Sequence, residues 1–319
     1  MAATETAVRA AANWWEIRQN NRLGYRLMLW SLRTLPPVVF RFLAFPVGFF
    51  YLIFSRRARF FSRAYFEKLG RRGSSLTHII SFALNLVENA QAWAGKLSFK
   101  NVRWQDDDVR DLVRNIDAGR GTALVISHLG NAQMLKGLAS AGESGTERWM
   151  SITTISDMDV SAGFNAMLNE INPNAAFHMV NAADIGPDTV LLLQERLERG
   201  EVVVIAGDRV GAHSNRTVMI PFLGADAPFP YGVFFLLSLL DVPSYFVFGL
   251  RKKDIGVRPE YDMFVTKNPV DFSCGSRAER ERRVVQAARA YAAELEARCR
   301  SHPYQWYNFF DFWGAAGAQ

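Results

Sequence analysis

Cysteine is almost missing from this chain, with 2 in 319 residues, Cys274 and Cys299. Two cysteines so placed match no metal-ligand spacing, and one possible disulfide would not define a secreted scaffold, so a reducing compartment is expected. A thiol nucleophile at Cys274, beside Gly275, has no base near it in the sequence. Neither a phosphate-cradling glycine motif nor a metal-ligand cluster occurs, so no metal and no cofactor are expected. Residues 1–7 lack the basic region and adjoining apolar core of a secretory signal, and no cleaved export signal is expected.

Acidic residues are scarce in the front third. Up to Trp104 there are 16 Lys and Arg against 4 Asp and Glu, whereas the remainder carries 21 against 27, so the overall charge of +6 hides a basic front and an acidic rest. The front is also the most apolar and aromatic part. Basic residues interleaved with Phe, Trp and Leu suit an anionic membrane surface better than a nucleic acid groove, and no nucleic acid partner is expected. Hydrophobic residues make up 49% of the chain, enough for a substantial core, and one large α/β domain behind an N-terminal segment fits the length as well as two domains do.

Residues 13–32 read as a helix with Arg18, Arg22 and Arg26 on one face. Residues 35–54 carry a single charge, Arg41. That length suffices to cross a bilayer, but Pro36, Pro37, Pro46 and Arg41 argue against a clean spanning helix. A membrane-dipping or interfacial hairpin is favoured over a spanning helix or an ordinary core helix. Arg56, Arg57, Arg59 and Arg63 follow and would keep that flank on the cytoplasmic side. The expected organisation is a basic, hydrophobic, membrane-associating helical segment at 1–75 and an α/β domain at 76–319.

Beyond that front, strands are expected at 122–127, 149–155, 174–180, 201–206 and 244–250. Helices are expected at 76–94, 109–117, 159–171, 187–199, 231–240 and 277–300. This alternation implies an α/β fold, a mainly parallel or mixed sheet with helices on both faces. The closing 302–313 is too aromatic for a disordered tail and is expected to pack back on the domain, as core rather than as a wall for an acyl chain.

The stretch 122–133 reads T-A-L-V-I-S-H-L-G-N-A-Q. An apolar, β-branched strand delivers His128 to the loop at its end, the place where ligands gather in open α/β sheets. Read alone, such a histidine more often caps a buried strand than acts. Gly207-Asp208-Arg209 likewise lies just beyond an apolar run. Asp208 is then either a salt-bridged loop residue or a neighbour of His128 across adjacent strand ends. Arg209 and Arg216 are suited to pair with Asp208 or to clamp a phosphate. At 229–232 a glycine-containing turn opens a helix, a reasonable place for an anion or a developing oxyanion. His178 and His213 read as incidental.

Four motifs occur in order: H-L-G-N at 128–131, G-D-R at 207–209, P-F-L-G with F-P-Y-G at 221–224 and 229–232, and Q-W-Y-N-F-F-D-F-W at 305–313. Together, behind a membrane-seeking front, the sequence resembles the lysophospholipid acyltransferase superfamily. Within it, the chain is most similar to the bacterial branch of lipid A late acyltransferases and their predicted relatives in aryl polyene pigment clusters. The resemblance spans roughly 14–313. It implies transfer of an acyl chain from a thioester, on acyl carrier protein or coenzyme A, to a hydroxyl or amine of a lipid-like acceptor. The membrane surface is an implied partner, and the cytoplasmic face of the bacterial inner membrane the implied location. His128 would be the general base, with Asp208 and Gln133 beside it in the catalytic group. Asn131, Arg209, Arg216, Phe222, Gly224 and Tyr231 would bind substrate. Backbone N–H groups near Gly130 and Asn131, or around Gly224, are candidates to hold the oxyanion.

One position departs from the pattern. The family has Asp or Glu five residues after the histidine, and this chain has Gln133. A carboxylate there would fix the imidazole tautomer and stabilise the imidazolium, whereas an amide accepts the hydrogen bond without the charge. In the serine protease triad the same acid-to-amide change costs about four orders of magnitude in turnover. Three explanations compete: an engineered acid-to-amide variant, an enzyme in which Asp208 supplies the charge, and a lipid- or carrier-binding member of the fold without catalysis. Gln133→Glu is expected to raise activity strongly, and an unchanged or lower rate would instead favour Asp208 as the working carboxylate. A thioesterase, with water as the acceptor, is a further enzymatic rival.

Overall fold

The computed structural model describes residues 34, 36–93, 102–131, 134, 145–148, 150–156, 177–210, 216–256, 259–273 and 276–314. Among the described residues, helix α1 (Pro37–Phe54) begins at a proline, whose missing N–H is harmless at that position. Pro46 is accommodated within the helix, so 37–54 runs as one helix rather than as the hairpin favoured for 35–54. The chain turns instead at Ser55, whose hydroxyl accepts the Ala58 N–H and starts α2 (Arg56–Lys68), bent 93° from α1. Arg59 reaches back to the carbonyls of Leu52 and Ile53, satisfying the last turn of α1. No single described helix is long and apolar enough to cross a membrane.

Helix α1 is two-faced in an unusual sense. Ala44 is buried against Ile80 and Leu84, on the face where Arg41 and Gly48 also lie, while Phe42, Leu43, Val47, Phe49, Phe50, Ile53 and Phe54 are exposed. The surface that it buries belongs to α3 (Ser75–Trp93). From α2, Tyr65 and Phe66 enter the main core, so the packing is continuous across residue 75.

After α3 come β1 (Val102–Trp104), α4 (Asp108–Asp117), β2 (Thr122–Ile126), β3 (Ile152–Ser156) and β4 (Phe177–Asn181). Then follow α5 (Pro187–Glu198), β5 (Val202–Ala206), a hairpin of β6 (Thr217–Phe222) and β7 (Ala225–Pro230), and α6 (Tyr231–Leu240). The chain closes with β8 (Ser244–Arg251), β9 (Tyr261–Lys267) and α7 (Arg277–Ser301), the last started by the Ser276 hydroxyl on the Glu279 N–H. Seven strands form one mixed sheet in the order β1-β9-β8-β2-β5-β3-β4, parallel throughout except for the β8–β9 pair.

Strands β2 and β8 are buried along their whole length, as central strands covered on both faces must be. The two-residue period divides their side chains. Ala123, Val125, Val203, Ile205, Phe246 and Phe248 pack toward α6 and α7 with Phe234, Tyr291 and Leu295, whereas Leu124, Ile126, Val204, Tyr245 and Val247 pack toward α4 with Leu112 and Ile116. Each fully buried aliphatic side chain contributes about 1.5–3 kcal/mol, so this sandwich fixes strand order and register.

Strands β1 and β9 and the β6–β7 hairpin add to the expected elements, and the expected strands at 149–155 and 174–180 correspond to β3 and β4, while residues 149 and 174–176 lie outside the described ones. The expected helices at 13–32 and 159–171 lie outside the described residues.

Candidate functional site

Strands β2 and β5 run parallel with Ile126 opposite Ala206. Two residues further along each chain, that register brings His128 and Asp208 side by side at the carboxyl end of the sheet. Gly207 makes the approach possible: its N–H bonds the Ile126 carbonyl at 2.9 Å, and a Cβ there would stand 2.6 Å from Val125 and 2.8 Å from the Tyr291 ring. The Tyr291 hydroxyl donates to the same Ile126 carbonyl, at 2.8 Å.

Asp208 is wholly buried and is fully used. Oδ1 lies 2.8 Å from His128 Nδ1, while Oδ2 accepts the His128 backbone N–H at 2.8 Å and the Trp306 indole N–H at 3.2 Å. Burial by itself would raise the pKa of this carboxyl, but His128, Arg209 and the backbone N–H outweigh it and hold it below the ordinary value. A carboxylate accepting at Nδ1 requires the proton to sit on that nitrogen, which leaves the Nε2 lone pair available. No described group bonds Nε2, and the side chain is 35% exposed. Removal of surrounding water, and secondarily the Arg209 charge, lower the imidazole pKa against the pull of Asp208, so the ring is neutral near pH 7. Such an arrangement, an imidazole with its tautomer fixed and no described partner on Nε2, is chemically able to act as a general base.

The remaining expected site residues divide. Arg209 is exposed and forms no ion pair with Asp208; its guanidinium lies 5.4 Å from the Phe310 ring. Arg216 lies over the Tyr231 ring at 3.7 Å, and Tyr231 starts α6 with its N–H on the Arg216 carbonyl. Gly224 is exposed at the tip of the hairpin, with φ +80°. Phe222, by contrast, is completely buried against Phe229, Trp306 and Phe312, closed to any substrate. Asn131 is also buried, its amide donating to the Tyr261 hydroxyl at 3.3 Å.

The expected oxyanion donors at Gly130 and Asn131 are spent within the fold. Gly130 N–H bonds the Gln305 carbonyl and Asn131 N–H the Gly249 carbonyl, both at 2.8 Å. Gly130 has φ +71°, and a Cβ would fall 2.2 Å from the Gly249 oxygen, so this close crossing of β8 demands glycine. Gln133, His213 and Cys274 lie outside the described residues. The hydrogen bond that the resemblance assigns to the residue five after the histidine is made by Asp208. His178 is exposed on the edge strand β4, and Cys299 is a buried free thiol pushed up in pKa by burial.

A buried polar group behind the histidine loop had weaker signals in the sequence. Glu88 of α3, fully buried, lies 3.4 Å from Arg251 Nη2 and accepts the Tyr261 hydroxyl. Arg41 of α1 donates to Gln91 at 3.1 Å in the same region. Burial raises the Glu88 pKa, opposed by Arg251, Tyr261 and Arg41. The only hints were one charge, Arg41, in an apolar helix and one of the front's few acids, Glu88.

No family model matches the chain, and no curated protein matches it.

Proposed function

We propose that this chain is a membrane-associated acyltransferase, moving an acyl group from a thioester of acyl carrier protein or coenzyme A to a hydroxyl or amine of a lipid-like acceptor. The observation that carries the reading is the His128–Asp208 pair, with Nδ1 bound to the carboxylate at 2.8 Å and Nε2 without a described partner on a part-exposed ring. In the reaction, Nε2 takes the acceptor's proton as its oxygen or nitrogen attacks the thioester carbonyl. Asp208 stabilises the imidazolium so formed. Collapse of the tetrahedral intermediate breaks the carbon–sulfur bond, and the thiolate recovers the proton from the imidazolium.

The apolar outer face of α1, with Phe42, Phe49, Phe50 and Phe54 exposed, supports a lipid surface as the place of work. Arg56, Arg57 and Arg63 on the adjoining α2 give anionic headgroups a counter-charge, consistent with the cytoplasmic face of a bacterial inner membrane.

The test is incubation of the full-length protein on anionic vesicles with a radiolabelled acyl thioester and candidate acceptors, together with mass spectrometry of co-purifying lipid. Acylated acceptor supports the proposal. Free fatty acid alone means a thioesterase, and bound donor without turnover means a binding protein.

A further inference from the structure

The chain after α7 returns to wrap the histidine loop. Gln305 offers its carbonyl to the Gly130 N–H at 2.8 Å, the Tyr307 N–H reaches the His128 carbonyl at 3.3 Å, and Leu129 faces Trp306 in an antiparallel bridge. From the middle of this strap the fully buried Trp306 sends its indole N–H to Asp208 Oδ2, the oxygen turned away from His128 Nδ1.

Trp306 is itself held from two sides. Its ring is wedged among Tyr65, Phe222 and Phe312, at centroid distances of 5.3, 5.3 and 4.9 Å. Its carbonyl lies 2.9 Å from Nε2 of His78, a buried residue of α3 whose Nδ1 is 3.1 Å from the Ser62 hydroxyl of α2. A carbonyl only accepts, so His78 carries its proton on Nε2 and Ser62 donates to Nδ1. Ser62 of α2 and His78 of α3 thus anchor the backbone of Trp306, and its side chain in turn anchors Asp208.

We infer that Trp306 is a positioning residue for His128: its indole N–H fixes the Asp208 carboxylate and draws charge from Oδ2, thereby setting the basicity of the imidazole. The charged groups facing His128 are Asp208 and Arg209. Without the indole donor, Oδ2 keeps only the His128 backbone N–H, more negative charge falls toward Nδ1, and the imidazolium is better stabilised. As a statement about catalysis this rests on the acyl transfer reading; as a statement about the His128 pKa it does not.

The test is an NMR titration of histidine-labelled full-length protein, with the His128 signal assigned by its loss in His128→Ala. Trp306→Phe removes the N–H and keeps an aromatic ring. It is expected to raise the His128 pKa by about half a unit, while Phe312→Leu, which loosens the same cluster and leaves the N–H, does not move it. In tryptophan-labelled protein the Trp306 indole proton is expected to move upfield in Asp208→Asn, a measurement that survives if Trp306→Phe does not fold. An unmoved His128 in folded Trp306→Phe, an equal shift in Phe312→Leu, or an indole proton indifferent to Asp208→Asn would overturn the inference. None of these readouts needs turnover, so absence of acyl transfer counts against the catalytic reading alone.

Discussion

Asp208 lies against His128 because Ala206 lies opposite Ile126, and the parallel register carries two residues past each strand end to an Nδ1–Oδ1 contact of 2.8 Å. The carboxylate that holds the imidazole thus comes from a neighbouring strand rather than from the loop that follows His128. Asp208→Asn is expected to lower the transfer rate by about three to four orders of magnitude without unfolding the protein. Gln133→Glu is expected to leave the rate essentially unchanged, in contrast to the gain that the sequence pattern suggests. Single-turnover rates of the two variants decide this.

The pH dependence of kcat/KM follows from the direction of the His128 shift. The reactive form is neutral imidazole, and burial together with Arg209 lowers its pKa below the ordinary 6.5. Activity is therefore lost on acidification, with a midpoint below pH 6.5, and is level through neutrality until another group titrates. A midpoint above pH 6.5 would mean that the imidazolium is favoured in the free enzyme, contrary to the geometry.

His78 makes a separate prediction about stability. Burial lowers its pKa from 6.5 to about 4, so between those values the unfolded chain binds a proton that the folded protein refuses. Its contribution is fully present above pH 6.5 and is lost as pH falls toward 4, a change of about 3 kcal/mol. Urea unfolding at several pH values in this window, compared with His78→Gln, isolates that part of the slope. In the variant it is expected to vanish.

Glu88 is the carboxylate beside two buried arginines. Glu88→Gln removes its charge and leaves Arg251, 3.4 Å away, without its ion partner. Arg251 also donates to the carbonyls of Asp254 and Gly256, which limits the damage. A loss of about 3 kcal/mol is expected, at the lower end for breaking a buried pair. It is read as a lower denaturant midpoint with an unchanged slope.

The parts of this fold that were legible in the sequence share a physical cause. Strands β2 and β5 are short, mainly β-branched and apolar runs, followed by Ser127-His128 and by Gly207-Asp208, and their elements and the two candidate side chains could be placed from that alone. That β2 and β5 are neighbours could not be read, because strand order is set by the packing of helices on both faces. The β6–β7 hairpin was hidden by Pro221, Pro228 and Pro230 and by a turn that begins with Leu223 at φ +51°, where asparagine or glycine would have announced it. Glu296, reaching from α7 to the Leu223 N–H at 2.8 Å, helps to hold that turn. In β9 the alternation of buried Tyr261, Met263 and Val265 is a true strand signal, short and set behind the charged run 251–254. That the Gly130 and Asn131 N–H groups are taken up within the fold could not be read for the same reason: their partners, Gln305 and Gly249, are remote in the chain.

The most direct measurement is single-turnover incubation of the vesicle-bound protein with a radiolabelled acyl thioester and a hydroxyl or amine acceptor, comparing wild type with His128→Ala. The account predicts labelled, acylated acceptor from the wild type and none from a His128→Ala protein whose circular dichroism and unfolding midpoint are intact. Undiminished transfer by the folded variant would contradict it.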